Sequence, residues 1–368
     1  MADPSPVTKE QVLSALSQIQ DPDLHKDIVS LGFIPEDSIE IGDGRVAVKI
    51  VLTTPACPVR DQMKAQAEEL LLALSGIDRV DVVMDAAVRS TGAAEGPKAI
   101  PGVRNIIAIA SNKGGVGKST IAVNLALALQ RFGAAVGLLD ADITGPNVPT
   151  MLGIPAGAQA DTGLSIVERY GIRAVSLGFV LKPGLPIVWR GPMIGSGVRQ
   201  LMHDLPWSEG GDLDYLVLDL PPGTSDASMS AATEAPIAGA VVVTMPNAVS
   251  VEDATRAVTM FEKMNVPVFG LVENMSYFAC PHCGERTDIF GAGGAEAMAD
   301  ELGVDLLGAI PLHGDIRAGA DSGIPIVESD PESLVAQAFA AIAQRIAAKT
   351  SVQHFFAEET PAAAPAEA

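Results

Sequence analysis

A glycine-rich segment, SNKGGVGKST at Ser111–Thr120, has the residue types and spacing of a phosphate-binding loop. It follows the apolar run Asn105–Ala110 and precedes the helical pattern Ser119–Gln130. In that setting glycines let the backbone approach an anion, N–H groups point at it, and the helix N-terminus adds positive potential. Lys118 would neutralise β- and γ-phosphate charge, and the Ser119 hydroxyl would ligate Mg²⁺. The segment predicts a triphosphate site rather than a glycine-rich turn without a ligand.

The loop departs from the common G-x-x-x-x-G-K-[ST] pattern, because Asn112 stands where that pattern has its first glycine. A second lysine, Lys113, follows directly and produces the form KGGxGK[ST]. This form resembles the deviant Walker A motif of the MinD, ParA and nitrogenase iron protein group. The resemblance implies a dimer in which Lys113 reaches across the interface to the partner's nucleotide.

Three aspartates follow apolar strand patterns. Asp140 and Asp142 close the segment Val136–Asp142, and Asp219 follows the run that begins at Tyr215. An aspartate at the C-terminal end of a parallel strand lies beside the phosphate loop, where it can hold Mg²⁺ directly or through water. Each aspartate alone also fits a helix cap or a turn. Three of them near one phosphate loop favour the magnesium interpretation.

Cys280 and Cys283 form a C-x-x-C pair in SYFACPHCGERTDIFG. A redox motif would open a helix directly after a strand, whereas a turn-like aromatic stretch precedes this pair and Gly284 follows it. A structural zinc site needs four ligands, and one chain offers two thiols and His282 between them. Two free thiols are a further interpretation. The fourth is a metal cluster shared by two chains, because two such pairs supply the four thiolates of a [4Fe–4S] cluster.

The composition limits the classes of partner. The chain has 368 residues, with 24 Lys and Arg against 45 Asp and Glu, and therefore a net charge of −21. Such a surface repels phosphates, which argues against nucleic acid or an anionic membrane as the main partner. Three cysteines are too few for a disulfide framework. We find no signal peptide pattern at the N-terminus, and these features together predict a cytoplasmic protein.

The elements that must position these residues divide the chain into segments. Residues 1–91 alternate helical and strand patterns and predict a small α+β domain. Residues 92–102 have linker composition. In residues 103–350, strands that are apolar on both faces alternate with helices, which predicts an α/β fold with a doubly wound, mostly parallel sheet. Residues 351–368 end in an Ala/Pro/Glu-rich stretch and predict a disordered tail.

Nearly the whole chain resembles the Mrp/ApbC family of P-loop iron–sulfur cluster carriers. The most specific segment is ENMS followed by C-x-x-C, within Val272–Gly284. The small N-terminal domain resembles one found in iron–sulfur assembly factors, through DIVSLGF at Asp27–Phe33 and TTPACPVRDQM at Thr53–Met63. The other segments that carry the resemblance are Lys113–Thr120, Asp140–Gly153, Asp219–Asp226 and Ile310–Leu312.

The resemblance implies a homodimer that binds Mg-ATP, hydrolyses ATP weakly, and passes a [4Fe–4S] cluster to apo-proteins together with cluster-assembly factors. Cys280 and Cys283 of both chains would hold the cluster. Slow hydrolysis would become faster when a second subunit supplies Lys113. The residues that the resemblance assigns to nucleotide binding are Lys113, Gly114, Gly115, Val116, Gly117, Lys118, Ser119, Thr120, Asp140, Gly223 and Asn274.

The resemblance also assigns roles at the edges of this site. Asp140 would hold a magnesium-bound water, Asp142 would orient the attacking water, and Asp219 would fix magnesium. Gly223 would lie near the γ-phosphate. Asn274 would read the adenine edge, although an asparagine at a strand end also fits a cap.

The roles of four further residues stay open. Asn112, Asn147 and Ser225 differ from the residues common in the family, although none of them removes a proposed ligand. Cys57 precedes a predicted helix, whose N-terminal potential would favour a thiolate, and an incidental buried thiol fits as well.

Two other functions are a spatial-organisation ATPase like MinD or ParA and a cluster scaffold that does not use ATP. The acidic chain end and the net charge argue against the first.

Overall fold

The structure, a computed structural model, describes residues 7–90, 97–143, 145–181, 191–223, 226–234, 236–280 and 282–359. Ser225, part of the expected linker (92–96) and the last residues of the expected tail (360–368) lie outside these ranges. The chain forms two compact units, one from residues 1–89 with 347–368 and one from residues 90–346. No helix in the described ranges is both long and apolar enough to cross a bilayer.

The first unit packs two helices against a three-stranded sheet. Strand β2 alternates buried and exposed residues, with Val46, Val48 and Ile50 facing the core. Helix α1 begins with the capping box that Thr8 and Gln11 predict. The strand order is β1-β2-β3, with β2 and β3 parallel. The elements are α1 (Lys9–Leu16), β1 (Ile39–Gly42), β2 (Arg45–Leu52), α2 (Arg60–Leu72) and β3 (Arg79–Ala86).

The second unit is built on a nine-stranded sheet. Seven strands run parallel in the order β12-β10-β9-β4-β8-β5-β7, and β6 and β11 pair antiparallel at β7 and β10. The central strands are buried on both faces, as their continuous apolar runs predict. The strands are β4 (Val103–Ala110), β5 (Val136–Asp140), β6 (Val167–Arg169), β7 (Ile172–Ser176), β8 (Leu213–Asp219), β9 (Ile237–Thr244), β10 (Val268–Ala279), β11 (Arg286–Thr287) and β12 (Leu306–Leu312).

Helices connect the parallel strands of this sheet. The helix after β4 is buried along most of its length and packs against four strands of the sheet. The α/β class with a mostly parallel, doubly wound sheet is therefore confirmed. The helices are α3 (Lys118–Arg131), α4 (Val148–Met151), α5 (Gly191–His203), α6 (Asp226–Thr233), α7 (Ala248–Lys263), α8 (Gly294–Leu302), α9 (Gly314–Ser322), α10 (Ile326–Ser329) and α11 (Leu334–Glu359).

The end of the chain differs from the expected tail at 351–368. Helix α11 continues to Glu359, and Ser351 and His354 are buried. Ser351 Oγ donates to Thr53 Oγ1 at 2.5 Å, and the Phe355 ring packs against Phe33 in the core of the first unit. The composition of the last residues suggested disorder, but the residues ahead of them are ordered, because Phe355 packs against the core of the first unit and two polar neighbours are buried.

Candidate functional site

The phosphate loop connects β4 to α3 in the second unit. Two glycines in it have left-handed backbones, with φ of 85° at Gly115 and 87° at Gly117, where the helix begins. A side chain at Gly117 would also collide with Nδ2 of Asn274. Glycine is therefore required there by conformation and by space, and it lets the first N–H groups of α3 face the loop's interior.

The loop surrounds a cavity of about 240 Å³. This is below the roughly 300–1,000 Å³ typical of whole small-molecule pockets, and it suits a phosphate chain. Asn147 and Met151, which sequence reasoning did not place in the site, form part of the wall. The lining residues are Ser111, Lys113, Gly114, Gly115, Gly117, Lys118, Ser119, Thr120, Asp142, Asn147, Met151 and Pro222.

A buried ion pair lies at the start of α3. Lys118 Nζ donates to Asp219 Oδ1 at 2.6 Å and lies 3.3 Å from the Ser119 hydroxyl. Lys118 is 6% exposed and Asp219 is fully buried. The second oxygen, Asp219 Oδ2, finds no hydrogen-bond partner among the described residues. A buried carboxylate oxygen without a partner is costly, and a cation or its bound water would satisfy it.

Asp140 is buried beside this pair, because β5 and β8 align Asp140 with Asp219. Ser176 Oγ, at the end of β7, donates to Asp140 Oδ2 at 2.9 Å. Burial, together with the nearby Asp219 charge, raises the pKa of Asp140 to about 8. Asp142 instead lines the cavity, and its N–H donates to Asp140 Oδ1 at 3.2 Å. The two aspartates of one strand end therefore have different surroundings.

Gly223 is tied to the phosphate loop from the end of β8. Its N–H donates to the carbonyl of Ser111 at 2.8 Å. The neighbouring Pro222 lines the cavity. The segment Asp219–Gly223 therefore contacts the phosphate loop.

Asn274 braces the loop from β10. Its side chain is 5% exposed, and Nδ2 donates to the carbonyl of Val116 at 2.8 Å. Its neighbour Glu273 is also buried: Oε1 accepts the N–H of Ala295 at 3.2 Å, and Oε2 accepts the Ser276 hydroxyl. Glu273 thus connects β10 to the start of α8, a role that sequence reasoning missed.

The two cysteines lie at the tip of a hairpin. β10 and β11 pair antiparallel through Ala279 and Arg286, and Cys280 N–H donates to Glu285 O at 3.0 Å. Cys280 is partly exposed and Cys283 is exposed. Backbone N–H groups of Cys283 and His282, with the Cys283 thiol, lower the pKa of Cys280. N–H groups that face a sulfur favour its thiolate, the form that binds metals.

Within the described ranges, no group of three or more His, Cys, Asp and Glu side chains is arranged to hold a metal ion.

Of the two alternatives for Cys57 in the first unit, a thiolate and an incidental buried thiol, the surroundings favour the second. Burial raises its pKa to about 11, and the charges of Asp21 and Asp23 act in the same direction. The N–H of Val59 and the charge of Arg60, close to the start of α2, lower the pKa by less. Loss of hydration therefore outweighs the helix N-terminus, and the thiol stays neutral.

Comparison with known proteins agrees with this geometry. Residues 102–347 match the family model described as NUBPL iron-transfer P-loop NTPase, and residues 9–83 match that of the iron–sulfur cluster assembly protein. An iron–sulfur cluster carrier protein of Synechocystis sp. is 46% identical over 94% of this chain and 99% of its own length. One from Escherichia coli K12 is 39% identical over 93% and 92%.

A solved structure shares the fold of the second unit. It is a nucleotide-binding protein from Archaeoglobus fulgidus in complex with ADP, with a TM-score of 0.53 and 38% identity over 61% of this chain and 88% of that one. The fold and the phosphate loop define a P-loop NTPase. The chain belongs to the NUBPL iron-transfer P-loop NTPase family, with an iron–sulfur cluster assembly domain ahead of it.

Proposed function

We propose that this protein is an iron–sulfur cluster carrier that binds and hydrolyses ATP as a homodimer and transfers a [4Fe–4S] cluster to apo-proteins. The observation that carries the proposal is the course of β10. This strand braces the phosphate loop through Asn274 and continues directly into the hairpin with Cys280 and Cys283. One strand thus links a nucleotide cavity to a pair of metal-binding thiols.

The residues around Lys118 fit a magnesium ion. Mg²⁺ usually takes one or two protein ligands and completes its shell with water and phosphate oxygens. The Ser119 hydroxyl and Asp219 are the proposed ligands, and the unpartnered Asp219 Oδ2 supports this choice. When bound, Mg²⁺ would neutralise charge on the phosphates.

The remaining groups act by position and charge. Lys118 would exchange Asp219 for the phosphates of its own subunit, while Lys113 would act on the partner's nucleotide. Asp142, which lines the cavity, would orient the attacking water, and Asp140 would hold a magnesium-bound water. The backbone N–H groups of Gly114, Gly115, Val116, Gly117 and Thr120 would cradle the phosphates, Gly223 would approach the γ-phosphate and Asn274 would read the adenine.

The cluster is the cargo of this carrier. Two chains each offer Cys280 and Cys283, and four thiolates are the ligand set of a [4Fe–4S] cluster. A two-fold axis brings the same hairpin of both chains together. Apo iron–sulfur proteins and assembly factors are the proposed partners, in the cytoplasm. The charge of −21 supports neither a nucleic acid nor a membrane as a partner.

The test is iron and sulfide analysis, with absorbance spectra, of anaerobically reconstituted protein. Cys280→Ala and Cys283→Ala should each lose most of the iron, because either substitution removes two of the four thiolates of a homodimer. ATP binding should persist. Cys57→Ala is the matched control and should keep the cluster. Equal iron content in Cys283→Ala and wild type would contradict the proposal.

A further inference from the structure

Asp253 on helix α7 contacts two consecutive residues of the phosphate loop. Asn112 Nδ2 donates to Asp253 Oδ1 at 2.9 Å, and Lys113 Nζ lies 3.8 Å from Asp253 Oδ2. Arg256, one turn further along α7, donates to Oδ1 at 3.3 Å. One carboxylate therefore receives an amide and the second lysine of the loop on its two separate oxygens. Asp253 and Asn112 lie outside the set of residues to which the proposed function assigns nucleotide chemistry, whereas Lys113 belongs to it.

The backbone of Lys113 is anchored independently of this contact. The hydroxyl of Ser111, a residue only 1% exposed, donates to the carbonyl of Lys113 at 3.0 Å. The lysine side chain has a flexible four-carbon stem. Lys113 can therefore leave Asp253 by rotation of its side chain, without a change in the loop backbone.

The ion pair between Lys113 and Asp253 is weak enough to break when Lys113 meets a stronger partner. The Lys113 side chain is 36% exposed, and its 3.8 Å separation from Asp253 lacks close hydrogen-bond geometry. Exposed pairs of this kind contribute little, and a multiply charged phosphate would attract the ammonium more strongly. After Lys113 leaves, Asp253 keeps Asn112 and Arg256 as partners and does not become an unpaired charge. The buried Lys118–Asp219 pair, at 2.6 Å, is much closer.

We propose that Asp253 is a positioning residue, which holds Lys113 on its own subunit in the nucleotide-free chain and releases it to the triphosphate of a partner subunit. Asn112 keeps its hydrogen bond to Asp253 when Lys113 leaves. This bond gives a physical role to the asparagine that replaces the first glycine of the common motif. The release step rests on the proposed function, in which Lys113 acts across the dimer. The holding step rests only on the contacts within one chain.

The first test compares Asp253→Asn with Glu252→Gln. Glu252 is the neighbouring acid on α7, pairs with Arg256 at 3.2 Å, and supplies a control with the same loss of charge. ATPase activity is measured against protein concentration. Asp253→Asn should lower the protein concentration for half-maximal activity about two- to fivefold, because Lys113 no longer leaves an ion pair, with the ATP KM unchanged. The same curve for both variants, or a loss of kcat in Asp253→Asn, would overturn the proposal.

The second test reads the holding step without nucleotide. Nucleotide-free protein is treated with a small amine-reactive ester, and labelling of Lys113 is measured by peptide mass spectrometry. Asp253→Asn should label Lys113 about two- to fivefold faster than wild type and Glu252→Gln, with Lys263 at the end of α7 as the internal reference. Unchanged labelling overturns the contact. Faster labelling in a protein that never hydrolyses ATP supports the holding step and refutes only the proposed function.

Discussion

Residues of the same type behave differently in this protein because of what surrounds them. Cys57 is desolvated and lies near two aspartates, so its pKa rises to about 11, whereas backbone N–H groups lower the pKa of Cys280. Asp140 is buried behind the cavity, while Asp142 lines it. Metal binding by a thiol requires the thiolate, so the hairpin cysteines are better suited to a cluster than Cys57.

The thiol of Cys57 should react slowly with an alkylating reagent. In a Cys280→Ala/Cys283→Ala chain at pH 8, the folded protein should react roughly 100-fold more slowly than the same chain unfolded in urea, since a thiolate is the nucleophile and the pKa is raised from 9.0 to about 11. The rate in the folded protein should rise about tenfold per pH unit until the pH approaches that pKa. Equal rates in the folded and unfolded chains would show that Cys57 is not desolvated.

At the scale of elements, the site depends on the contact between strand β10 and the N-terminal end of helix α3. Gly117 begins α3 with a positive φ, and Asn274 of β10 lies against it. The same asparagine holds the Val116 carbonyl. The shape of the phosphate loop therefore depends on β10 as well as on its own glycines.

Gly117→Ala should weaken ATP binding roughly ten- to a hundredfold. The methyl group would meet Asn274, and the left-handed backbone costs a non-glycine residue about 1–3 kcal/mol. Gly114→Ala is the matched control, because that glycine has no positive φ and open space around its Cα. Titration of a fluorescent ATP analogue into both variants measures the difference. A loss in Gly114→Ala as large as that in Gly117→Ala would contradict this account.

At the scale of the whole molecule, the first unit is built from two segments that are far apart in the sequence. Residues 347–359 of α11 belong to it together with residues 1–89. Phe355 packs on Phe33, and the Arg89 guanidinium lies 4.9 Å from the Phe355 ring centre. The core of this unit is small, so the loss of one aromatic side chain should lower the stability of the whole unit.

Truncation of the chain before Ser351 should destabilise the first unit by about 2 kcal/mol or more, since it removes Phe355 and two buried polar residues. Hydrogen exchange of peptides from β2 should become faster, which reports on the core of this unit. Truncation after Glu359 is the control, because it removes only residues 360–368. If both truncated chains protect β2 as well as the full chain does, the packing of α11 contributes nothing.

The fold was predictable where a pattern is local. Continuous apolar runs identified the strands β4, β5 and β8, and the glycine-rich segment identified the loop between β4 and α3. Both follow from short-range rules, namely burial on two faces and the backbone freedom of glycine. Strands β6, β7 and β11 were missed, because they span only 3, 5 and 2 residues, too few for a periodic pattern to identify them.

The chemistry of the site was predictable as a set of residues, and their contacts were not. The order of residues along the chain identified Lys118, Asp219 and the cysteine pair as candidates. It carried no sign that Ser176 would bind Asp140, that Asp253 would hold Asn112 and Lys113, or that Cys57 would be desolvated. The contacts of Ser176 and of Asp253 each join residues from different strands, loops or helices. The desolvation of Cys57 arises only when the core of its unit closes. Side-chain identity thus sets what chemistry is available, whereas packing sets the charge state and the partner of each group.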